Sequence, residues 1–159
     1  MSFVDLRDVG DPVELANYYS RGGADELVFL DIAATPSDTA TMTSVVERVA
    51  DVVEIPFTVG GGVRSVEDAS RLIESGADRV SLNSAALANP ALISAIAERF
   101  GSQAVVVAID AGDRVVYTHG ARIATEVETI PWAVEACARG AGEILLTSIA
   151  HDGHRSGFN

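Results

Sequence analysis

Apolar residues in this chain gather into five short runs, each closed by a polar or glycine cluster: FLD at Asp31, TVGGG at Gly62, SLNS at Ser84, AID at Asp110 and LLTS at Ser148. Amphipathic stretches at helical spacing lie between them. Buried runs of strand length alternating with such stretches predict parallel βα units. Folds of that kind keep their chemistry at the C-terminal ends of the strands, and each polar cluster falls at such an end.

The turn residues mark the boundaries. Asp11 before Pro12, with Glu14 in the first turn, predicts a helix start, and Gly22-Gly23 predicts its stop. Residues 26–32 (ELVFLDI) read as a buried strand, and 40–53 as a helix with Met42, Val45, Val46 and Val49 on one face. A strand over 56–60 opens on Pro56, and Ser65 with Asp68 caps a helix that Gly76 ends. Residues 79–83 form the next strand, and a helix runs from Asn89-Pro90 to Phe100. The Val-rich stretch 104–110 predicts a strand buried on both faces. Beyond it, 114–118 predicts a short extra strand, Pro131 to Gly140 a helix, and 143–148 the last strand.

A repeat supports this register. GADELVFL (23–30), GADRVSL (76–82) and GAGEILL (140–146) share one grammar. A glycine ends a helix, a small residue packs, a charged residue marks the strand's N-terminal edge, and an apolar run follows. No linker or low-complexity segment divides the chain, so residues 1–159 read as a single domain. The expected architecture is α/β, a partial TIM (βα)8 barrel of about five parallel units, where a closed barrel has eight. The chain opens without a strand before its first helix and stops in a loop, so an incomplete site is expected. Self-association through the two open sheet edges is expected as well.

Composition narrows the partners. At 159 residues and 48% apolar content the chain can bury one core. No apolar run approaches the ~20 residues of a membrane span, and Met1 to Asp5 lack the features of a signal peptide. A cytoplasmic location without membrane contact is therefore expected. A net charge of −12, from 23 acids and 11 bases, argues against nucleic acid. It leaves room for a phosphorylated small molecule, because backbone amides bind phosphate even on an acidic surface. Every base is Arg. Cys137 is alone, which excludes an internal disulfide, and its Ala-rich surroundings suggest a packed small apolar residue.

The polar clusters supply candidate chemistry. Three consecutive glycines ending at Gly62 exceed what a tight turn needs, so Gly61 and Gly62 are candidates for a phosphate cradle. Asn83 and Ser84 stand at the same rim level and offer an amide and a hydroxyl to the same anion. Asp110 ends an apolar strand, where a carboxylate costs free energy unless partnered; it is the candidate acid–base group, or else a loop cap. Asp31 ends an earlier strand and serves substrate hydroxyls or holds a loop. Thr147-Ser148 and Asp152-Gly153 offer hydroxyls and a carboxylate to ribose or phosphate. His151 and His154 lack a further ligand cluster and make a poor metal site, so no metal and no cofactor are expected. Thr58 and Ser81 are polar inside apolar strands and suggest a wet interior. Glu26, Arg79 and Glu143 occupy one place in the repeat, as solvated edge charges or as a ring around the barrel's bottom mouth.

Together these residues resemble the cyclase subunit of imidazole glycerol phosphate synthase, a TIM barrel of histidine biosynthesis. LRDVGDPVELA, DELVFLDI, IPFTVGGGVRSVEDA, GADRVSLNSAA, FGSQAVVVAIDA and GAGEILLTS carry the likeness along the whole chain. The isomerase of the adjacent step shares the glycine loop and the repeat, but the FGSQAVVVAIDA and DELVFLD segments follow the cyclase. The resemblance implies a lyase. Ammonia from a glutaminase subunit attacks phosphoribulosyl-formimino aminoimidazole carboxamide ribonucleotide, giving imidazole glycerol phosphate and aminoimidazole carboxamide ribotide.

By the same resemblance Asp110 matches one of the family's two acid–base aspartates. Gly61, Gly62, Asn83 and Ser84 match one phosphate site, and Asp152 and Gly153 match part of the other. Phe3 to Gly10 matches the end of a loop that covers the substrate. Glu26, Arg79 and Glu143 match an ammonia entrance on the glutaminase-binding face, with Thr58 and Ser81 lining the passage beyond it. The family's first strand with its aspartate, and two C-terminal strands, have no counterpart here. The loop after Asp110 is short, and Ala150 stands where the family usually has an acid. Little or no turnover by these residues alone is the expectation.

Overall fold

The computed structural model describes residues 10–30 and 39–152. Helix α1 (Pro12–Arg21) starts where the sequence places it, the Asp11 carboxylate accepting from the Val13 and Glu14 N–H groups. Then come β1 (Leu27–Leu30), α2 (Thr39–Ala50), β2 (Phe57–Gly60), α3 (Val66–Glu74), β3 (Arg79–Leu82), α4 (Ser84–Ala88) and α5 (Ala91–Phe100). The chain continues as β4 (Val105–Gly112), β5 (Val115–Thr118), β6 (Ile123–Glu128), α6 (Thr129–Ala138) and β7 (Glu143–Ser148).

Strands β1, β2, β3, β4 and β7 run parallel in that spatial order. With helices between them they form the expected partial TIM (βα)8 barrel. The repeat explains the common phase. Gly23, Gly76 and Gly140 take φ of 88°, 106° and 109°. The next residue's N–H, of Ala24, Ala77 and Ala141, bonds the carbonyl five residues back, at Tyr19, Leu72 and Ala136. Each helix is thus closed by the same left-handed cap, and each strand leaves it in the same phase.

Two differences from the sequence reading have physical causes. The extra strand is β5, but it belongs to a hairpin whose second arm, β6, was not anticipated. Asp113 and Arg114, both left-handed at φ 49° and 71°, form the two-residue turn that joins β4 to β5, and His119, Gly120 and Ala121, at φ 56°, 66° and 61°, turn the chain from β5 into β6. β6 is exposed at five of its six positions, so no apolar alternation announced it. Helix α6 begins at Thr129, ahead of Pro131, because a proline within the first turn removes an N–H that has no helical partner.

The core lies between the middle strands and their helices. Val80, Leu82, Val105, Val107 and Ile109 are 0% exposed and pack with Val46, Val49, Ile93 and Ile96. Full burial of such side chains contributes about 1.5–3 kcal/mol each. The flanks differ. β1, expected to be buried, alternates half-buried with exposed residues, because among the described residues it has a strand on one side only. Cys137, expected to be packed, is exposed, on a helix that also exposes Ile130 and Val134.

Candidate active site

Parallel pairing puts the C-terminal ends of the strands on one rim. The register aligns Leu30, Gly60, Ser81, Val106 and Glu143 across the sheet. Gly61-Gly62, Asn83 and Asp110 lie beyond that level, on the same rim. Gly60 is needed for close approach: a Cβ there would lie 2.7 Å from both Leu30 Cδ2 and Ser81 Cβ. Gly61 and Gly62 take φ of 108° and 70°, where side chains are disfavoured.

The glycine loop is anchored to α3. Arg64 N–H donates to the Asp68 carboxylate at 2.9 Å, and Ser65 Oγ caps the helix by accepting from Asp68 N–H at 3.1 Å. Partial burial pushes the Asp68 carboxyl up. The Arg64 N–H, Ser65 and the charge of Arg71 outweigh this and hold it below the ordinary 3.8.

Asp110 is half-buried, and its Oδ2 accepts from Asn83 Nδ2 at 3.0 Å. Thr147 stands directly opposite it across the β4–β7 ladder, and Tyr117 opposite it in the hairpin. Ser84 Oγ accepts from His119 N–H at 3.1 Å, so the hairpin tip rests on the rim. His119 was missed from the sequence. The signal was His-Gly at a turn, and His119, Gly120 and Ala121 are all left-handed. Ser148 Oγ lies 3.1 Å from His151 Nδ1, and the Ser148 carbonyl accepts from Asp152 N–H, which folds this end back into a turn. Asp31, Gly153, His154 and Phe3 to Val9 lie outside the described residues.

At the other end of the strands the repeat's charged positions meet. Arg79 Nη1 lies 2.7 Å from Glu26 Oε1 and 2.7 Å from Glu143 Oε2. Glu26 precedes β1 and Glu143 opens β7, the two outermost parallel strands, so one guanidinium spans the curve of the sheet. Thr58 Oγ1 donates to the same Glu26 oxygen at 2.8 Å, and Thr58 and Ser81 are buried on that inner face.

A family model for histidine biosynthesis proteins matches residues 1–159. The chain belongs to that family. Among its relatives, imidazole glycerol phosphate synthase subunit HisF of Flavobacterium johnsoniae is 56% identical over 99% of the chain and 64% of its own length. The subunit of the same name from Halalkalibacterium halodurans is 57% identical over 100% of the chain and 66% of its own length. That of Myxococcus xanthus is 56% identical over 100% and 64%. The chain thus spans just under two thirds of the length of these curated relatives. No helix among the described residues is long and apolar enough to cross a membrane.

Proposed function

We propose that this chain carries part of the cyclase site of imidazole glycerol phosphate synthase and works in the cytoplasm in histidine biosynthesis. The observation that carries the reading is Asp110, held by Asn83 on the rim that also bears the glycine loop. Asp110 acts as one acid–base group, transferring a proton as ammonia closes the imidazole ring of the phosphoribulosyl substrate. Gly61, Gly62, Asn83 and Ser84 hold one substrate phosphate, and Asp152 and Gly153 contribute to the second. Asp31 and Thr147 serve the ribulosyl hydroxyls. Ammonia enters past Glu26, Arg79 and Glu143 and travels beside Thr58 and Ser81, supplied by a glutaminase subunit docked on that end. The acidic mouth suits a partner that presents cations.

The test supplies ammonia and the ribulosyl substrate to the 159-residue chain, alone and mixed with a chain carrying the rest of a relative's barrel. Turnover is expected in the mixture and little from the chain alone. Asp110→Asn should reduce it about 10²–10⁴-fold, the usual range for a positioned acid–base group. Mixture turnover indifferent to that change would sink the assignment. A second reading, a non-catalytic partial barrel that self-associates and retains phosphate, is favoured by Val28, Leu30 and Leu146, which are exposed on the outer strands. It predicts phosphate binding that Gly62→Val abolishes, in a particle larger than one chain.

A further inference from the structure

We propose that Asn83 is a positioning residue for Asp110: its amide fixes one carboxylate oxygen and turns the other toward the rim. The inference rests on the reading of Asp110 as an acid–base group. Asn83 occupies the N-cap position of α4, and asparagine is among the best residues for that position. Asp11 and Ser65 occupy the equivalent positions of α1 and α3, and their side chains do cap. Asn83 makes no capping bond, although its backbone, at φ −127° and ψ −103°, stands at the helix start. Its Nδ2 donates instead to Asp110 Oδ2 at 3.0 Å. A local role available to the side chain is forgone for a contact with the neighbouring strand.

The geometry suits the task. Leu82 pairs with Val107, so Asn83 and Asp110 lie diagonally across adjacent strands on the same face. A carboxylate only accepts, so the atom facing it must be the amide nitrogen, which settles the orientation of the Asn83 group. Among the described residues no other side chain is shown bonded to Asp110. One anchored oxygen restricts rotation of the carboxylate and leaves Oδ1 for the proton. An amide nitrogen carries two hydrogens, so Asn83 can hold Asp110 with one and still donate to the substrate's anion with the other.

The test is NMR on the full chain labelled with ¹⁵N and ¹³C, which needs no turnover. In Asn83→Ala the Asp110 carboxyl carbon resonance should move, while Asn89→Ala, in the next turn of chain, should leave it in place. Asp110→Ala reads the same bond from the other side and stands in if Asn83→Ala does not fold: the two Asn83 side-chain amide protons should shift and lose their separation. In the complemented mixture Asn83→Ala should lower kcat about tenfold and raise KM as well, because the substrate's anion loses the same amide. An Asp110 carboxyl carbon unmoved by Asn83→Ala, or Asn83 amide protons unmoved by Asp110→Ala, overturns the proposal. Turnover indifferent to Asp110→Asn instead overturns the cyclase reading and leaves the bond itself measurable.

Discussion

Along β2 every residue from Phe57 to Gly60 is buried, and so is β3 from Val80 to Leu82, whereas the flanking strands β1 and β7 leave Val28, Leu30 and Leu146 41–46% exposed. The sequences hardly differ in character: LVFL and EILLTS are as apolar as FTVG and RVSL. Burial here comes from the number of neighbours and not from composition. A middle strand has a strand on each side and a layer of helix, and among the described residues a flanking strand has one strand neighbour. The middle is therefore held by the hydrophobic effect. The flanks are held in part by charge, through the Glu26–Arg79–Glu143 bridge that ties both outer strands to β3.

The largest effect should come from emptying the middle. Leu82→Ala removes a fully buried side chain, and such truncations cost about 2–5 kcal/mol. Urea unfolding should register it as a lower midpoint with an unchanged slope. A loss below about 1 kcal/mol would mean that the middle is no better packed than the flanks.

Arg79→Ala should come next, at about 1–2 kcal/mol, between the small worth of an exposed pair and the larger cost of a buried charge left alone. Arg79 and Glu26 are 26% and 28% exposed but Glu143 is 49% exposed, so solvent screens the second pair. The substitution leaves Glu26 and Glu143 without their shared cation. Added salt should shrink the difference between the two proteins, which it would not do for Leu82→Ala. A salt-independent loss would assign the flanks' attachment to packing.

How much of this was legible follows the same division. The repeat exposed the phase of three strands, because a glycine that stops a helix also sets where the next strand begins, at Gly23, Gly76 and Gly140. It also placed Glu26, Arg79 and Glu143 at one level, and the ion pairs follow from that placement. The rim was legible as residue types, with Asp110, Asn83 and the glycines each at a strand end. Their pairing was not: nothing in SLNS says that Asn83 turns from its own helix to Asp110. β6 was hidden for a different reason. A strand exposed on both faces has no period-two signal, and its position comes from the left-handed turn at His119, Gly120 and Ala121 and from pairing with β5. Cys137 and β1 depart from the expected burial for one reason: apolar character leads to burial only where a neighbouring element covers the face.

A smaller effect separates the two helix starts. Asp68 serves α3 against the middle of the sheet, and its carboxyl is held low although burial opposes this. The Val13 N–H leads the groups that hold the Asp11 carboxyl low at the start of the flanking α1. A carboxyl with a depressed folded-state pKa stabilises the fold above its unfolded value of 3.8 and loses that contribution as pH falls through the folded one. Stability should therefore decline on acidification below about pH 4, and Asp68→Asn should flatten part of that decline, by less than about 1 kcal/mol. Asp11→Asn should flatten it less. The reverse ranking would place the stronger capping at the edge.

The smallest effect on folding should be Leu146→Thr, within about 0.5 kcal/mol, since an exposed side chain has little burial to lose. That expectation holds for a single copy in dilute solution. If a second copy covers the outer strand, Leu146 is exposed only in the isolated chain, and the substitution acts on association. Light scattering across a concentration series distinguishes the two. The chain should grow in mass with concentration, and Leu146→Thr together with Val28→Thr should hold it nearer one copy while leaving dilute-solution unfolding almost unchanged. The net charge of −12 opposes such contact, so added salt should favour it, opposite in sign to the salt effect on Arg79. A chain that stays monomeric at every concentration and salt would leave the flanks open to water, and their attachment to the middle would then rest on Arg79 and the ladder hydrogen bonds.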